Sequence, residues 1–347
     1  MTTIISLVSD QPMPNVLFIK QMPRADRYVF LTTQRMEEEG KSDNILKVCG
    51  IDPNKVDHII AHHEDVTNIL EEWKHLEDRP GEHYHINLTG GTKMMALGTF
   101  SHFTTHFPPD RVSVHYVQLS GGNIQQMYPV DVQQPMQVSI SVQDYLDAHG
   151  VKLLSAADWL PWEQEARKVF RHVSKQQTNY QIQSRLLESR TNPAELEFVS
   201  LSPEERSFYS GKWLEVWLAA QVRDLLGIPA SEIIWDARVN KSGAAISMAN
   251  EYDVLFVYNN RLYLGECKHF TSKNDKKLSS ISKELFKMGG ANNLTGLNAK
   301  PFFAIVGSLL AMPEEVDEQC RMLRLRPPAF LDTLKDPIRL QQFFRSL

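Results

Sequence analysis

The sequence predicts an α/β chain of two folded domains, and three observations carry that prediction. The first is length, because 347 residues exceed what a single hydrophobic core usually serves. The second is a series of short β-rich runs separated by helical stretches in the first third of the chain. The third is a later change of rhythm, where a long apolar helix leads into two β-rich runs that almost touch. Hydrophobic residues make up 42% and charged residues 23% of the chain, which excludes disordered and collagen-like classes.

In order, the β-rich runs of the first part are Ile4–Val8, Tyr28–Leu31, His58–Ala61, Tyr84–Leu88 and Val112–Leu119. Helical segments between them imply crossover connections and a parallel sheet, so residues 1–140 read as a Rossmann-like domain. Ser120-Gly121-Gly122-Asn123 signals a hairpin after the fifth run, and Pro129 and Pro135 then interrupt regular structure. Residues 141–200 are polar and helix-leaning, a connector of helical or winged-helix-like form. The second domain, residues 201–347, opens where Ser202 can cap a helix with Pro203, Glu204 and Glu205 in its first turn. Gly211–Leu226 is helical and apolar, Glu251–Tyr258 and Arg261–Lys268 are strands, a lysine-rich helix follows, and Pro301–Gly307 is a further strand. That order predicts a mixed sheet flanked by helices.

No apolar run approaches the ~20 residues that cross a bilayer, and the start Met-Thr-Thr-Ile-Ile-Ser has no signal-peptide pattern, so a cytoplasmic protein without membrane contact is expected. The three cysteines, Cys49, Cys267 and Cys320, are widely spaced and support neither a disulfide framework nor a zinc knuckle. A net charge of −5 argues against a chain that coats nucleic acid through bulk charge. Locally the balance reverses: Lys268, Lys273, Lys276, Lys277, Lys283 and Lys287 face only Asp275 and Glu284, a strip that could track a phosphate backbone or form a solvated helix face.

The two strands of the second domain are separated by Asn259-Asn260, residues that tolerate positive φ and suit a two-residue type I′ turn. Tyr258 opposite Arg261 then puts Asp253 opposite Glu266 and Glu251 opposite Lys268. Like charges so paired are destabilising unless something offsets them, and a divalent cation would. Alternation sends Asp253, Leu255, Glu266 and Lys268 to one face and Val254, Phe256 and Cys267 to the other, making Cys267 a core residue. Two acids holding Mg²⁺ or Mn²⁺ beside a lysine make a hydrolytic site: the metal activates water and the lysine stabilises growing charge on a phosphate. An exposed cross-strand Glu251–Lys268 pair would explain the lysine but not the facing acids.

Asn250-Glu251-Tyr252-Asp253-Val254-Leu255 followed by Gly265-Glu266-Cys267-Lys268 resembles the D…ExK signature of PD-(D/E)XK, restriction-endonuclease-like enzymes. The resemblance implies catalytic roles for Asp253, Glu266 and Lys268, with Asp253 and Glu266 as metal ligands. It also implies Glu215, on the preceding helix in Lys212-Trp213-Leu214-Glu215, as a further catalytic residue and metal ligand.

After the fourth strand, Asn87-Leu88-Thr89-Gly90-Gly91-Thr92-Lys93 opens a helix. Free N–H groups there, reached through glycines and flanked by hydroxyls and a lysine, suit an anion such as phosphate. GxxxxGK[ST] and GxGxxG are both absent, which argues against a P-loop enzyme and a nicotinamide-linked oxidoreductase. The stretch resembles the ligand-binding loop of CARF domains, sensors of cyclic oligoadenylate in type III CRISPR defence. In that family the loop after the first strand supplies the rest of the half-site, here Ser9, Asp10, Gln11 and Asn15 beside Thr89, Gly90, Gly91, Thr92 and Lys93.

A CARF domain followed by a PD-(D/E)XK domain is similar to cyclic-tetra-adenylate-activated CRISPR nucleases of the Card/Can type. The likeness implies a homodimer that cleaves DNA, RNA or both with Mn²⁺ or Mg²⁺. The rival is a ligand-responsive transcription regulator that reads DNA through its middle segment. His102 and His106 have zinc-pair spacing, but a third ligand and the intervening Glu are absent, so they read as helix-face residues, as do His62 and His63.

Overall fold

The fold is that of a computed structural model, which describes residues 1–119, 122–175, 202–245, 247, 249–270, 276–289, 299–307 and 314–347. Ser120 and Gly121 of the expected hairpin, the connector beyond Lys175, and Lys273 and Asp275 of the lysine-rich strip lie outside the described residues. Two units are distinct, Met1–Lys152 and Leu153–Leu347.

The first unit alternates strands and helices: β1 (Thr2–Leu7), α1 (Met13–Gln21), β2 (Arg27–Thr32), α2 (Gln34–Glu38), α3 (Lys41–Cys49), β3 (Val56–Ile60), α4 (Val66–Lys74), β4 (His83–Asn87), α5 (Lys93–His106) and β5 (Val112–Gln118). β6 (Asn123–Tyr128), β7 (Val132–Pro135) and α6 (Val142–Ala148) follow. The sheet order is β3-β2-β1-β4-β5-β6-β7. Its first five strands are parallel, and β6 and β7 close one edge antiparallel. The five β-rich runs of the sequence are those parallel strands. β1 and β2, in the middle of the sheet, are buried almost throughout because helices cover both faces, whereas the edge strand β3 has no buried residue. α6 packs on α1 and α3.

The second unit contains β8 (Val151–Ala157), α7 (Glu163–Lys175), α8 (Pro203–Ser207), a π-helical turn (Phe208–Lys212), α9 (Trp213–Leu226), β9 (Ile233–Lys241), β10 (Asn250–Tyr258), β11 (Arg261–Phe270), α10 (Lys276–Gly289) and β12 (Lys300–Gly307). It ends in α11 (Glu314–Met322), β13 (Ala329–Phe330), α12 (Leu331–Leu334) and α13 (Pro337–Ser346). Ser202 caps α8 in a reciprocal capping box with Glu205. The sheet order is β13-β12-β11-β10-β9-β8, antiparallel across β9, β10 and β11 and parallel across β11, β12 and β13. Val254, Phe256, Cys267, Phe302 and Ala304 bury against α9 in one core that also stacks Phe170 of α7 on Trp217 at 3.6 Å between ring centroids. Leu255, Leu264, Phe303 and Ile305 alternate to the opposite side and are buried too, as are Ile281, Leu285 and Met288 of α10. Among the described residues no helix is long and apolar enough to cross a membrane.

Candidate functional site

Asn259 and Asn260 both adopt positive φ, 50° and 59°, as a type I′ turn demands. The pairing follows the expected register from Tyr258 opposite Arg261 as far as Val254 opposite Gly265. There the ladder stops. The Cys267 N–H donates to the Asp253 carboxylate at 2.6 Å, so a side chain takes the place of the next backbone acceptor. On the other flank the β9 register also skips Asp253. Asp236 of β9, with φ 52°, kinks that strand and pairs with Lys212 at 2.5 Å. Asp253 thus sits in a gap of the sheet, at the head of β10 and β11. The expected pairing of Glu251 with Lys268 is not formed, because the β10–β11 ladder ends at Val254; on the β9 side Glu251 is the register partner of Arg238, with an ion pair at 3.2 Å.

Glu266 is 4% exposed. One of its oxygens accepts from Lys268 Nζ at 2.6 Å, and the other is buried with no hydrogen-bond partner. Glu215, on the first turn of α9, accepts from Trp235 Nε1 at 2.7 Å. Burial, then the charges of Glu215 and Glu266, push the Asp253 carboxyl up to about 8. Burial raises Glu215 to about 7 against the opposing Trp235 hydrogen bond and Lys212 charge. Burial also works against the Lys268 ammonium, yet Glu266 beside it holds it above the usual lysine range. Three acids therefore feel one another, and in two of them burial and that repulsion favour the neutral carboxyl. Among the described residues, however, no three His, Cys, Asp or Glu side chains are gathered closely enough to cage an ion. Cys267 is a core residue, its thiol raised by burial.

Two α10 residues are not marked as site residues by the sequence. Glu284 and Lys287 both approach the site: Lys287 Nζ lies 3.6 Å from the second Glu266 oxygen, and Glu284 lies 3.7 Å from Lys268 and from Lys287. Lys268 and Lys287 of the lysine-rich strip thus turn toward acids, while Lys283 is exposed. A signal for them exists, since Ile281, Leu285 and Met288 seat the helix and so turn residues 284 and 287 toward its flank.

In the first unit, β1 and β4 are parallel neighbours, with α1 following one and α5 the other. β1 connects onward to β2 on one side while β4 continues to β5 on the other, so the crevice between their C-terminal ends is the topological switch point where such sheets receive ligands. The loops after both strands, chosen from sequence, border it. Asn15 is fully buried, donating to Leu7 O at 2.8 Å and accepting from Asn87 at 2.8 Å. It braces the two loops from below instead of offering free polar atoms. Asn87 in turn accepts from the Thr89 N–H and hydroxyl, and Thr89 accepts from the Val117 N–H.

Gly90 has no room for a side chain, because a Cβ there would lie 2.0 Å from Leu7 O, and Gly91 has φ +70°. Thr92 caps α5 by accepting from Met95 N, and its hydroxyl donates to the His63 carbonyl. Lys93 is exposed at the first turn, with no ion-pair partner among the described residues. In the β1 loop the Ser9 hydroxyl accepts from the Gln11 N–H at 3.3 Å, and Asp10 is held by Arg35, with Lys41 at 3.9 Å. Arg35 and Lys41 carry no mark in the sequence because only the fold brings them to the β1 loop, while Asn87 heads the quoted stretch without being singled out by it. His102 is buried against Trp73 and stacked on His106, and burial lowers it to about 4.

Residues 3–145 match the family model of the Card1 CARF domain, and residues 202–340 that of the Card1-like endonuclease domain. The chain belongs to the Card1-like family. It is an endonuclease-domain protein with a CARF domain ahead of the nuclease fold. Can2 from Sulfobacillus thermosulfidooxidans, solved in complex with cyclic tetra-adenylate, has a similar fold at 22% identity and TM-score 0.71, with 100% of this chain and 99% of Can2 covered. Protein VC1899 from Vibrio cholerae is similar at 18% identity and TM-score 0.74, covering 99% of this chain and 98% of its own. A type III CRISPR defence DNA nuclease activated by cyclic oligoadenylate is similar at 15% identity and TM-score 0.57. That match takes in 92% of this chain but only 51% of the other. No curated protein matches the chain.

Proposed function

We propose that this Card1-like chain is a metal-dependent nuclease of type III CRISPR defence, switched on by cyclic oligoadenylate, with cyclic tetra-adenylate as the activator. The observation that carries the reading is the pairing, in one chain, of buried mutually repelling acids beside Lys268 with an anion cradle at the switch point of a CARF sheet. The Can2 structure contains cyclic tetra-adenylate, which favours that ring among cyclic oligoadenylates.

Asp253 and Glu266 would hold Mn²⁺ or Mg²⁺, with Glu215 completing the set. Their chemistry fits a hard divalent cation: oxygen donors only, one Glu266 oxygen without a partner, and two carboxyls raised by burial and, after it, by neighbouring acids. Such an ion, when bound, supplies an activated water and charge neutralisation at a phosphate. The ammonium of Lys268 stays cationic beside Glu266 and stabilises charge that grows on the scissile phosphate. The Trp235 hydrogen bond fixes the rotamer of Glu215, and the Cys267 N–H fixes that of Asp253. DNA, RNA or both are substrates.

At the sensor, the N–H groups of the Thr89–Thr92 turn, the start of α5 and Lys93 meet ligand phosphates, and the Ser9–Gln11 loop borders the second strand end. Met94, Leu97 and Phe100 form an exposed apolar stripe along α5, spaced as one helix face. It supports a homodimer in which two half-sites share one ring-shaped ligand. The cell compartment consistent with nucleic-acid defence is the cytoplasm.

The test incubates plasmid DNA and single-stranded RNA with the purified chain, adding Mn²⁺, cyclic tetra-adenylate, or both. Cleavage with both and not with either alone is the expected result. Intact nucleic acid under all conditions would favour the transcription-regulator reading instead.

A further inference from the structure

Lys287 stands out because it is engaged on four sides and hydrogen-bonded to only one of them. Its Nζ donates to the Glu251 carbonyl at 3.0 Å, lies 3.6 Å from Glu266 and 3.7 Å from Glu284, and sits 5.9 Å from the centroid of the Tyr252 ring. The Glu266 oxygen it faces, and the Glu284 oxygen beside it, are both buried without a hydrogen-bond partner. Lys268 holds the other Glu266 oxygen at 2.6 Å. The two contacts differ in kind: 2.6 Å is a charge-assisted hydrogen bond, whereas 3.6 Å is Coulomb attraction alone.

From this geometry we infer that Lys287 is an internal counter-cation, occupying the approach to Glu266 that a divalent ion would take and competing with that ion. The inference rests on the active-site reading above. Three features make the lysine displaceable. Its contact with Glu266 is too long for a hydrogen bond, so leaving breaks only the one to the exposed Glu251 carbonyl, which water can replace. Its side chain is 37% exposed, so the head can swing to water on a flexible stem without desolvation of the charge. The helix that carries it stays put, because Ile281, Leu285 and Met288 are 0–1% exposed and anchor α10 independently of the lysine. A side-chain rotation is therefore enough to open the oxygen. Glu284 receives the displaced charge, being within 3.7 Å of both lysines. Lys287 is in this account a positioning residue, setting how readily the acids load and how stable they are unloaded.

The experiment is calorimetric titration of Mn²⁺ into the full-length chain without nucleic acid or cyclic oligoadenylate, with melting temperature recorded before and after loading. Lys287→Gln should bind Mn²⁺ at least about tenfold more tightly, the effect of removing one unit charge a few ångströms from the ion. Its metal-free melting temperature should fall and its Mn²⁺-induced rise should exceed that of the wild type. Lys287→Arg should restore affinity toward the wild-type value, and Lys283→Gln, on the exposed side of the same helix, should leave it unchanged. Should Lys287→Gln prove too unstable to titrate, Lys287→Met, which keeps the stem over Tyr252, is measured in its place. Unchanged or weaker Mn²⁺ binding in the neutral variant overturns the inference. Glu266→Gln separates the two levels: if it abolishes Mn²⁺ binding while Lys287→Gln matches wild type, only the role of Lys287 is lost. If Glu266→Gln binds Mn²⁺ normally, the active-site reading itself fails.

Discussion

At the ends of β1 and β4, Asn15, Asn87, Thr89 and Thr92 all have hydrogen-bond partners within the protein, and the cradle is made of backbone, hydroxyls and glycines. Around Glu266 the opposite holds. Acids are buried near one another, two are raised by that burial and by their neighbours' charge, and one carboxylate oxygen has no partner. A cradle of satisfied dipoles is rigid and costs little to keep empty, so it suits a ligand that comes and goes. A cluster of unsatisfied charge is costly until a cation arrives, and that cost is the source of its affinity for one. The contrast separates a sensing region, whose sensitivity to mutation should be steric at its glycines and electrostatic only at Lys93, from a reactive region, whose sensitivity should be electrostatic throughout.

Removing charge at the acid site should have the largest effect. Lys268→Ala is expected to cut the cleavage rate by about 10²–10³ or more, with fold and ligand binding intact. Single-turnover cleavage at saturating Mn²⁺ and cyclic tetra-adenylate measures it, and near wild-type turnover would remove Lys268 from the site. At the cradle, Gly90→Ala puts a methyl group 2.0 Å from Leu7 O. Overpacking of this kind costs about 1–3 kcal/mol, so ligand affinity should drop by a decade or more while Mn²⁺ binding is untouched. A variant that still binds the ligand as wild type would show that the loop is not held against β1. Lys93→Ala takes away a charge-assisted contact worth roughly 1.5–3 kcal/mol. Its activation midpoint should move one to two decades upward with the plateau retained, and an unchanged midpoint would leave the turn as a plain strand-to-helix connection.

The smallest effect is on stability against pH. Asp253 and Glu215 have folded-state values raised to about 8 and about 7, above the ~4 of free carboxyls. A raised value means that the neutral acids favour the folded state. The stability they contribute is fully present below about pH 4 and is lost as pH rises through about 7 to 8. In chelator, the contribution of these two acids should therefore lower the melting temperature from mildly acidic to mildly alkaline pH, and Mn²⁺ should flatten that decline. Equal slopes with and without Mn²⁺ would contradict the crowding of acids at the ion site.

Part of this arrangement is legible in the amino-acid sequence through local chemistry. Asn259-Asn260 declares a type I′ turn because so few residues accept positive φ twice in succession, and that turn carries the register to Val254 and Gly265. β1 and β2 are legible because strands buried on both faces read as near-continuous apolar runs, and the other three parallel strands because short β-rich runs recur between helical stretches. β9 escapes notice although Trp235, Ala237 and Val239 alternate with Asp236 and Arg238, since the charged half of the pattern disguises the buried half. The positive φ of Asp236 has no local signature, and neither does the break in the β10–β11 ladder that turns Asp253 onto the Cys267 N–H. Asn15 resembles a ligand contact because it lies in the right loop, but its burial beneath Leu7 and Asn87 is a tertiary fact. Glu284 and Lys287 belong to a helix whose apolar seat can be read, yet which acids it faces depends on how the sheet beneath it assembles.

The claim that sensing and cleavage reside in physically separate sites is tested most directly by titrating cyclic tetra-adenylate calorimetrically into Glu266→Gln and assaying the same preparation for cleavage. The substitution removes one charge from the acid cluster of the second unit and leaves every residue of the Thr89–Lys93 turn as it is. The account predicts ligand affinity within about twofold of wild type, a difference under ~0.5 kcal/mol, and no cleavage at any ligand concentration. Loss of ligand binding together with cleavage, or cleavage that survives the substitution, would contradict it.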